Sequence, residues 1–287
     1  MVTTGLLKTP LRDDFSRLFR QASQTMTVVS PYINRYGLGV LLEAIGSRPE
    51  RCHISILTSI SVNNIRSGSL DVQALAEFCQ SYSQCTTHNL PGLHAKAYIA
   101  DSSRAIITSA NLTYGGLVRN HEYGVLISDK DVVGQIDLHM REYSSLGGRV
   151  SLEDLISLAE QAKVLRTADN EAEKSLRATQ AWRILSKQID ALGDNLLRQR
   201  VRGKSVNAIF SETIRFVLKH GPLPTEELHA QVQAIHPDMC DDRIDRVIDG
   251  QHFGKKWKHM VRNSQQFLKR REQIRYDSRE GVWRLVD

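Results

Sequence analysis

Over the first half of the chain, short β-branched runs alternate with stretches of helical periodicity. Residues 25–30 and 52–58 read as strands and residues 37–45 and 71–82 as helices, with later strands at 93–100, 104–108 and 123–128. That alternation predicts an α/β layer fold, one sheet with covering helices. From residue 151 the texture changes. Apolar residues recur at helical spacing in two blocks, Leu155, Leu158, Ala162, Leu165 and then Ala178, Trp182, Leu185, Ile189, Leu192, which predict two helices, with Trp182 as a core anchor. The second block suits a helix–helix seam or packing on the body of the same chain. A break at Gly193 and Gly203 precedes a third unit. There Val206, Phe210, Ile214 and Val217 mark one helix, Thr225 to Pro237 bound a second, and Ile244, Val247 and Ile248 suggest a short third. Trp257, Val261, Ser264 and Leu268 place a fourth, and residues 274–276 and 282–286 form a closing hairpin.

The chain has 287 residues, 41% hydrophobic and 24% charged, enough for about two domains and too apolar for a disordered or fibrous protein. We place the boundaries at 1–150, 151–204 (a helical linker or dimer brace) and 205–287. No apolar run approaches the ~20 residues of a bilayer span, and the first fifteen residues carry Lys8, Arg12, Asp13 and Asp14 without an apolar signal core. A cytoplasmic protein without a membrane partner is expected. Cys52, Cys79, Cys85 and Cys240 form no CxxC pair, and His236 and Cys240 find no second ligand pair, so reduced core thiols and no metal or cofactor are expected.

Net charge is +6. Its placement matters more than its size: between Lys255 and Arg275 eight Lys/Arg residues face the single acid Glu272, the footprint left by a polyanion partner. The densest chemistry lies elsewhere, at residues 93–111. On a strand, Leu93, Ala95, Ala97 and Ile99 point one way, and His94 and Lys96 point the other, side by side. An imidazole and an ammonium at a strand end attract an anion. Beyond the next strand, Ser109 and Asn111 fall in a polar turn that can add donors to phosphate oxygens.

These residues carry a family likeness. His94-x-Lys96-x4-Asp101, then six residues, then Thr108-Ser109-x-Asn111, resembles the phospholipase D superfamily motif His-x-Lys-x4-Asp-x6-Gly-Ser-x-Asn, departing from it at Thr108, where the family usually has Gly. Asn120, Glu122 and the strand from Tyr123 are similar to the segment that follows the motif in small bacterial nucleases of that superfamily. The resemblance implies a phospholipase D-like mixed sheet over roughly residues 1–130. It makes His94 nucleophile or general acid, Lys96, Ser109 and Asn111 phosphate binders, and Glu122 the partner fixing the His94 tautomer, with Asp101 in the motif for structure or interface. Family members use two motif copies, one histidine forming a phosphohistidine while the other acts as acid. This chain has one copy, so a homodimer is implied.

On the helix from Lys256 to Arg271, Lys258, Arg262, Gln265 and Lys269 form a stripe beside the inward one. With Lys255 and Lys256 they are candidate DNA contacts, and Arg275 and Arg279 on the hairpin are candidate backbone grips. The pattern is similar to winged helices attached to prokaryotic restriction and DNA-defence proteins. The reading is a metal-independent, dimeric DNA endonuclease of restriction or phage defence, acting with DNA and, in a multi-component system, with other defence subunits. The alternatives are a non-catalytic DNA-binding subunit of such a system, and phosphatidyl transfer.

Overall fold

A computed structural model describes residues 4–46, 52–174, 178–248 and 251–286, the side chains of 170–182 and 248 excepted. It divides into two compact units, 1–200 and 201–287.

In the first unit the elements follow as β1 (Thr4–Lys8), α1 (Arg12–Gln21), β2 (Thr25–Val29), α2 (Arg35–Ile45), β3 (His53–Thr58), α3 (Val62–Arg66), α4 (Val72–Ser81) and β4 (Cys85–Asn89). Then come β5 (Ala97–Ala100), β6 (Arg104–Thr108), β7 (Tyr123–Ile127), α5 (Lys130–Leu146), β8 (Gly148–Val150), α6 (Leu152–Lys174) and α7 (Ala178–Arg200). The strands form one mixed sheet in the order β1-β7-β6-β5-β2-β3-β4-β8, parallel at β2-β3-β4 and antiparallel elsewhere. The expected α/β layering is therefore present.

Alternation along the strands sorts the two faces. Met26, Val28, Ile54, Ile56, Tyr98 and Ile106 enter the main core with Phe15, Phe19 and Leu41 from the helices. Ile99 and Ala105 point the other way, beneath Val133 of α5. Helix starts follow local chemistry: Asn34, Asp71 and Asp129 each accept a backbone N–H of the first turn of α2, α4 and α5.

Residues 152–200, expected between two domains, pack into the first unit. Leu155, Leu158, Ala162 and Leu165 of α6 and Leu185 and Leu192 of α7 are buried in its main core, with Ile189 against it. The side chains of Ala178 and Trp182 lie outside the described set. The break expected at Gly193 does not occur. A mid-helix glycine costs only about 1 kcal/mol, and the burial of Leu192 beside it carries α7 on to Arg200.

The second unit comprises α8 (Val206–Leu218), β9 (Leu223–Pro224), α9 (Thr225–Ile235), β10 (Asp245–Ile248), β11 (Gln251–Lys255), α10 (Lys256–Arg270), β12 (Ile274–Asp277) and β13 (Val282–Leu285). Three helices enclose Phe210, Ile214, Leu228, Val232 and the predicted inward residues Trp257, Val261 and Leu268 of α10, closed by Ile274 and Trp283 of a three-stranded sheet, β12-β13-β9. The short helix expected at Ile244, Val247 and Ile248 is instead strand β10, paired antiparallel with β11. The β-branched residues before an Asp-Gly pair favour a hairpin over one helical turn.

Buried His236 bonds Thr213 at 2.6 Å, and all four cysteines are free thiols, Cys52 and Cys240 buried and Cys79 and Cys85 half-buried. Among the described residues no helix is long and apolar enough to cross a membrane, and no group of three His, Cys, Asp or Glu side chains could hold a metal ion.

Candidate active site

Three strand ends meet at one edge of the large sheet. The strand expected from Leu93 starts only at Ala97, because its neighbour β2 ends at Val29 and the chain turns away at Ser30 and Pro31. His94 and Lys96 thus sit on the extended lead-in to β5, tied to the end of β6 by a Thr108 N–H donated to the Lys96 carbonyl at 3.3 Å. His94 is exposed; Lys96 keeps only 9% of its surface in water, and its Nζ lies 3.2 Å from both ring nitrogens of His94. An ammonium can only donate, so the ring nitrogen it meets must accept.

The end of β6 delivers Ser109 and Asn111, and the start of β7 delivers Glu122. The Ser109 hydroxyl donates to Glu122 Oε2, and Asn120 Nδ2 donates to Oε1 at 3.3 Å. The Glu122 N–H donates to Thr9 Oγ1 at 2.7 Å. Asn111 is half-buried, its Oδ1 3.5 Å from the Ser30 hydroxyl, which also takes the Leu112 N–H at 3.0 Å. Beneath this turn the fully buried Tyr98 hydroxyl donates to the Ala110 carbonyl at 3.0 Å, and burial pushes its pKa up. Burial also lowers the Lys96 pKa, against the attraction of Glu122, which acts to raise it.

Thr108, where the resembled motif has glycine, holds this turn by side-chain hydrogen bonds. Its hydroxyl donates to the Tyr123 carbonyl at 3.0 Å and accepts the Ala110 N–H at 3.1 Å. Across the ladder Thr108 pairs with Gly124, where an added Cβ would lie 2.7 Å from both the Ile107 carbonyl oxygen and Thr108 Cβ. Likewise a Cβ on Gly116 would stand 2.3 Å from the Asn111 carbonyl oxygen. The backbone behind Ser109 and Asn111 is therefore pressed by two residues that admit no side chain. Gly124→Ala is expected to destabilise the chain by about 2 kcal/mol through forced separation of β6 and β7. Denaturant melts of the two proteins check this; equal midpoints would mean that the ladder yields freely.

Two expected site residues behave differently. Asp101 lies at the far end of β5, roughly 15 Å along an extended strand from Lys96. Its carboxylate accepts the Ser23, Gln24 and Thr25 N–H groups and the Ser23 hydroxyl at 2.8–2.9 Å. Burial alone would raise its pKa, but these donors outweigh it and hold the carboxyl below its usual range. Asp101 staples the start of β2 and is no part of the edge cluster. Glu122 bonds Ser109 and Asn120; no described hydrogen bond joins it to His94. Sequence reasoning missed Thr9 and Ser30, which meet the cluster across 113 and 81 residues, separations that leave no local signal.

In the second unit, Lys256, Lys258, Arg262 and Lys269 of α10, Arg275 of β12 and Arg279 are exposed. Lys255 is half-exposed and paired with Asp245 at 2.8 Å. Gln265 is a correction: only 1% exposed, it meets His229 at 3.3 Å and faces the core. The buried arc of α10 is wider than the stripe through Trp257, Val261 and Leu268, and Gln265 falls on its shoulder. The outward amides are Asn263 and Gln266, with Arg270 beside them.

Residues 15–143 match a family profile described as cardiolipin synthase, PLD-like domain, and the mixed sheet with flanking helices is the phospholipase D-like fold. No curated protein matches the chain. Similar solved structures include NucT from Helicobacter pylori (13% identity, TM-score 0.41, 50% of this chain and 95% of that one). Nuc from Salmonella typhimurium, a phospholipase D family member, gives 15%, 0.44, 52% and 98%. Phosphatidylserine synthase from Haemophilus influenzae gives 14%, 0.47, 66% and 48%.

Proposed function

We propose that the phospholipase D-like domain of residues 15–143 hydrolyses DNA phosphodiesters through a phosphohistidine on His94, with two copies of the chain pooling half-sites. The observation that carries this reading is the gathering of His94, Lys96, Ser109, Asn111 and Glu122 at one sheet edge within a domain that matches a PLD-like profile. In the first step a His94 ring nitrogen attacks phosphorus, and the departing alkoxide takes a proton from the protonated His94 of the second copy. In the second, that imidazole, now neutral, takes a proton from water as it attacks the phosphohistidine, which releases the phosphate monoester and restores both rings. One imidazole cannot be nucleophile and acid in the same step, hence the need for two.

Lys96 leaves the ring when a phosphoryl oxygen offers a better acceptor, freeing the lone pair and cancelling phosphoryl charge. Asn111 adds an amide donor, and Glu122 holds Ser109 in place. Two such sets of donors supply the charge stabilisation that a cation gives elsewhere, so the reaction is metal-independent.

The second unit supports DNA as the substrate. Helices α8–α10 with the sheet β12-β13-β9 suit a winged-helix arrangement, in which α10 enters a groove with Asn263 and Gln266 outward and its exposed basic residues reach phosphates. A restriction or defence role, with other defence subunits as partners, belongs to the same reading. The test is cleavage of plasmid and oligonucleotide DNA in EDTA by the full chain. Metal-free cutting is expected; DNA binding without cutting of any duplex, single-stranded or modified DNA would overturn it in favour of a non-catalytic subunit. The profile's description favours a second reading, phosphatidyl transfer, which phosphatidylglycerol vesicles assayed alongside would reveal.

The α10 contacts carry their own expectation. Arg262→Gln with Lys269→Gln removes two phosphate contacts, so the slope of log affinity against log salt should fall by about 2. Fluorescence anisotropy across a salt series measures it, and an unchanged slope would remove these residues from the interface.

A further inference from the structure

Between α9 and α10 the second unit carries a two-stranded ribbon that its fold does not need. Among the described residues, β10 and β11 pair with each other and with no third strand, and none of residues 245–247 and 251–255 enters the unit's core. Two apolar side chains of the ribbon face water instead: Phe253 is 46% exposed and Val247 51%. The ribbon is nevertheless firmly mounted on α10. The Lys256 N–H donates to the Ile244 carbonyl at 3.0 Å, and His259 donates through Nε2 to the Phe253 carbonyl at 2.6 Å while Nδ1 accepts from Arg246 at 3.2 Å.

The register places an aromatic beside a cation. Asp245 pairs with Lys255 and Val247 with His252, so Arg246 alone stands opposite both Phe253 and Gly254, a bulge that Gly254 permits with φ at +83°. The carboxylate of Asp245 is taken up by Lys255 at 2.8 Å and His252 at 3.2 Å. The exposed side chains among the described residues here include the Phe253 ring, the Arg246 guanidinium that also meets His259, and Lys256, Lys258 and Arg262 of the adjoining helix. An exposed aromatic face among exposed basic side chains complements a polyanion that carries flat rings.

We propose that the β10–β11 ribbon is a second nucleic-acid contact, in which Phe253 stacks on an unpaired base and Arg246 holds the adjoining phosphate, next to the duplex engaged by α10. This rests on the DNA reading above and extends it. The chain would recognise duplex beside an unpaired nucleotide in preference to uninterrupted duplex.

The experiment measures affinity of the full chain, by anisotropy at fixed salt, for a duplex with one unpaired adenine and for the same duplex fully paired. We expect the wild type to favour the unpaired form about tenfold. Phe253→Ala should lose that preference and keep fully paired binding, Phe253→Trp should retain it, and Arg246→Gln should weaken the unpaired form more than the paired. If the wild type binds the two forms equally, or Phe253→Ala keeps the preference, the ribbon proposal fails while the DNA reading stands. If the wild type binds neither, the DNA reading itself fails. If Phe253→Ala instead alters the oligomeric state in light scattering and leaves DNA affinities unchanged, the ribbon is a protein interface and the proposal is overturned.

Discussion

His94→Ala is expected to lower DNA cleavage by at least about 10⁴-fold, measured on plasmid substrate in EDTA, with the melting temperature unchanged. In the proposed mechanism the His94 ring forms the covalent bond and the motif has no second copy in the sequence, and removing a covalent nucleophile or its acid–base partner costs several orders of magnitude in enzymes that depend on both. His94 is exposed and its one described hydrogen-bond partner is Lys96, so the truncation opens no cavity. The stronger form of the prediction concerns mixtures. If each site draws one histidine from each of two copies, a His94→Ala chain poisons any wild-type chain it pairs with. Exchanged subunits then show activity proportional to the square of the wild-type fraction, about a quarter at equal amounts. A linear dependence, about a half, would mean that each chain works alone. Residual cutting near the wild-type rate by the pure variant would remove His94 from the chemistry altogether.

How far this site can be read from sequence follows from distance along the chain. His94 and Lys96 are separated by one residue, and the period of an extended segment makes them neighbours whether or not the ladder reaches them; it does not, yet the pair forms. Ser109 and Asn111 follow a β-turn-β unit whose strand β6 falls where periodicity places it, at Arg104–Thr108. What surrounds them is set by packing. Thr9 comes from beyond β1, Ser30 from the end of β2, and the room for Thr108 from a glycine across the ladder. None of these leaves a periodic trace.

The same division runs through the second unit. Trp257, Val261, Ser264 and Leu268 announce the buried centre of α10. The width of the buried arc, which decides the fate of Gln265, depends on His229 of α9 and is invisible in α10 alone. Ile244, Val247 and Ile248 fit a helical turn as well as a strand, and only the pairing with β11 separates the two. For α6 and α7, periodicity gives the helices, while the surface they cover is a tertiary fact.

Lys96 tests the electrostatic half of the mechanism. Lys96→Met should cost about 10²- to 10³-fold in kcat, the usual price of removing one preorganised donor from a developing charge. Its signature in stability runs the opposite way. Burial lowers the Lys96 pKa below its unfolded value, with Glu122 opposing, so the native state binds this proton more weakly than the unfolded chain does. The buried ammonium therefore destabilises the fold fully below its folded pKa, and that cost is relieved as pH rises from the folded value toward the unfolded one near ~10.4. An isosteric apolar side chain removes it at neutral pH, so Lys96→Met should melt at or above the wild-type temperature while losing activity. For the free enzyme the same depressed pKa brings the alkaline fall of kcat/KM below the range of an ordinary lysine. Lys96→Arg, whose guanidinium stays charged throughout, should flatten that fall even if its bulk lowers the plateau. An alkaline limb that persists unchanged in the arginine variant would assign the titration to another group. A methionine variant that cuts as well as wild type would leave the phosphate without the ammonium clamp on which the metal-free reading depends.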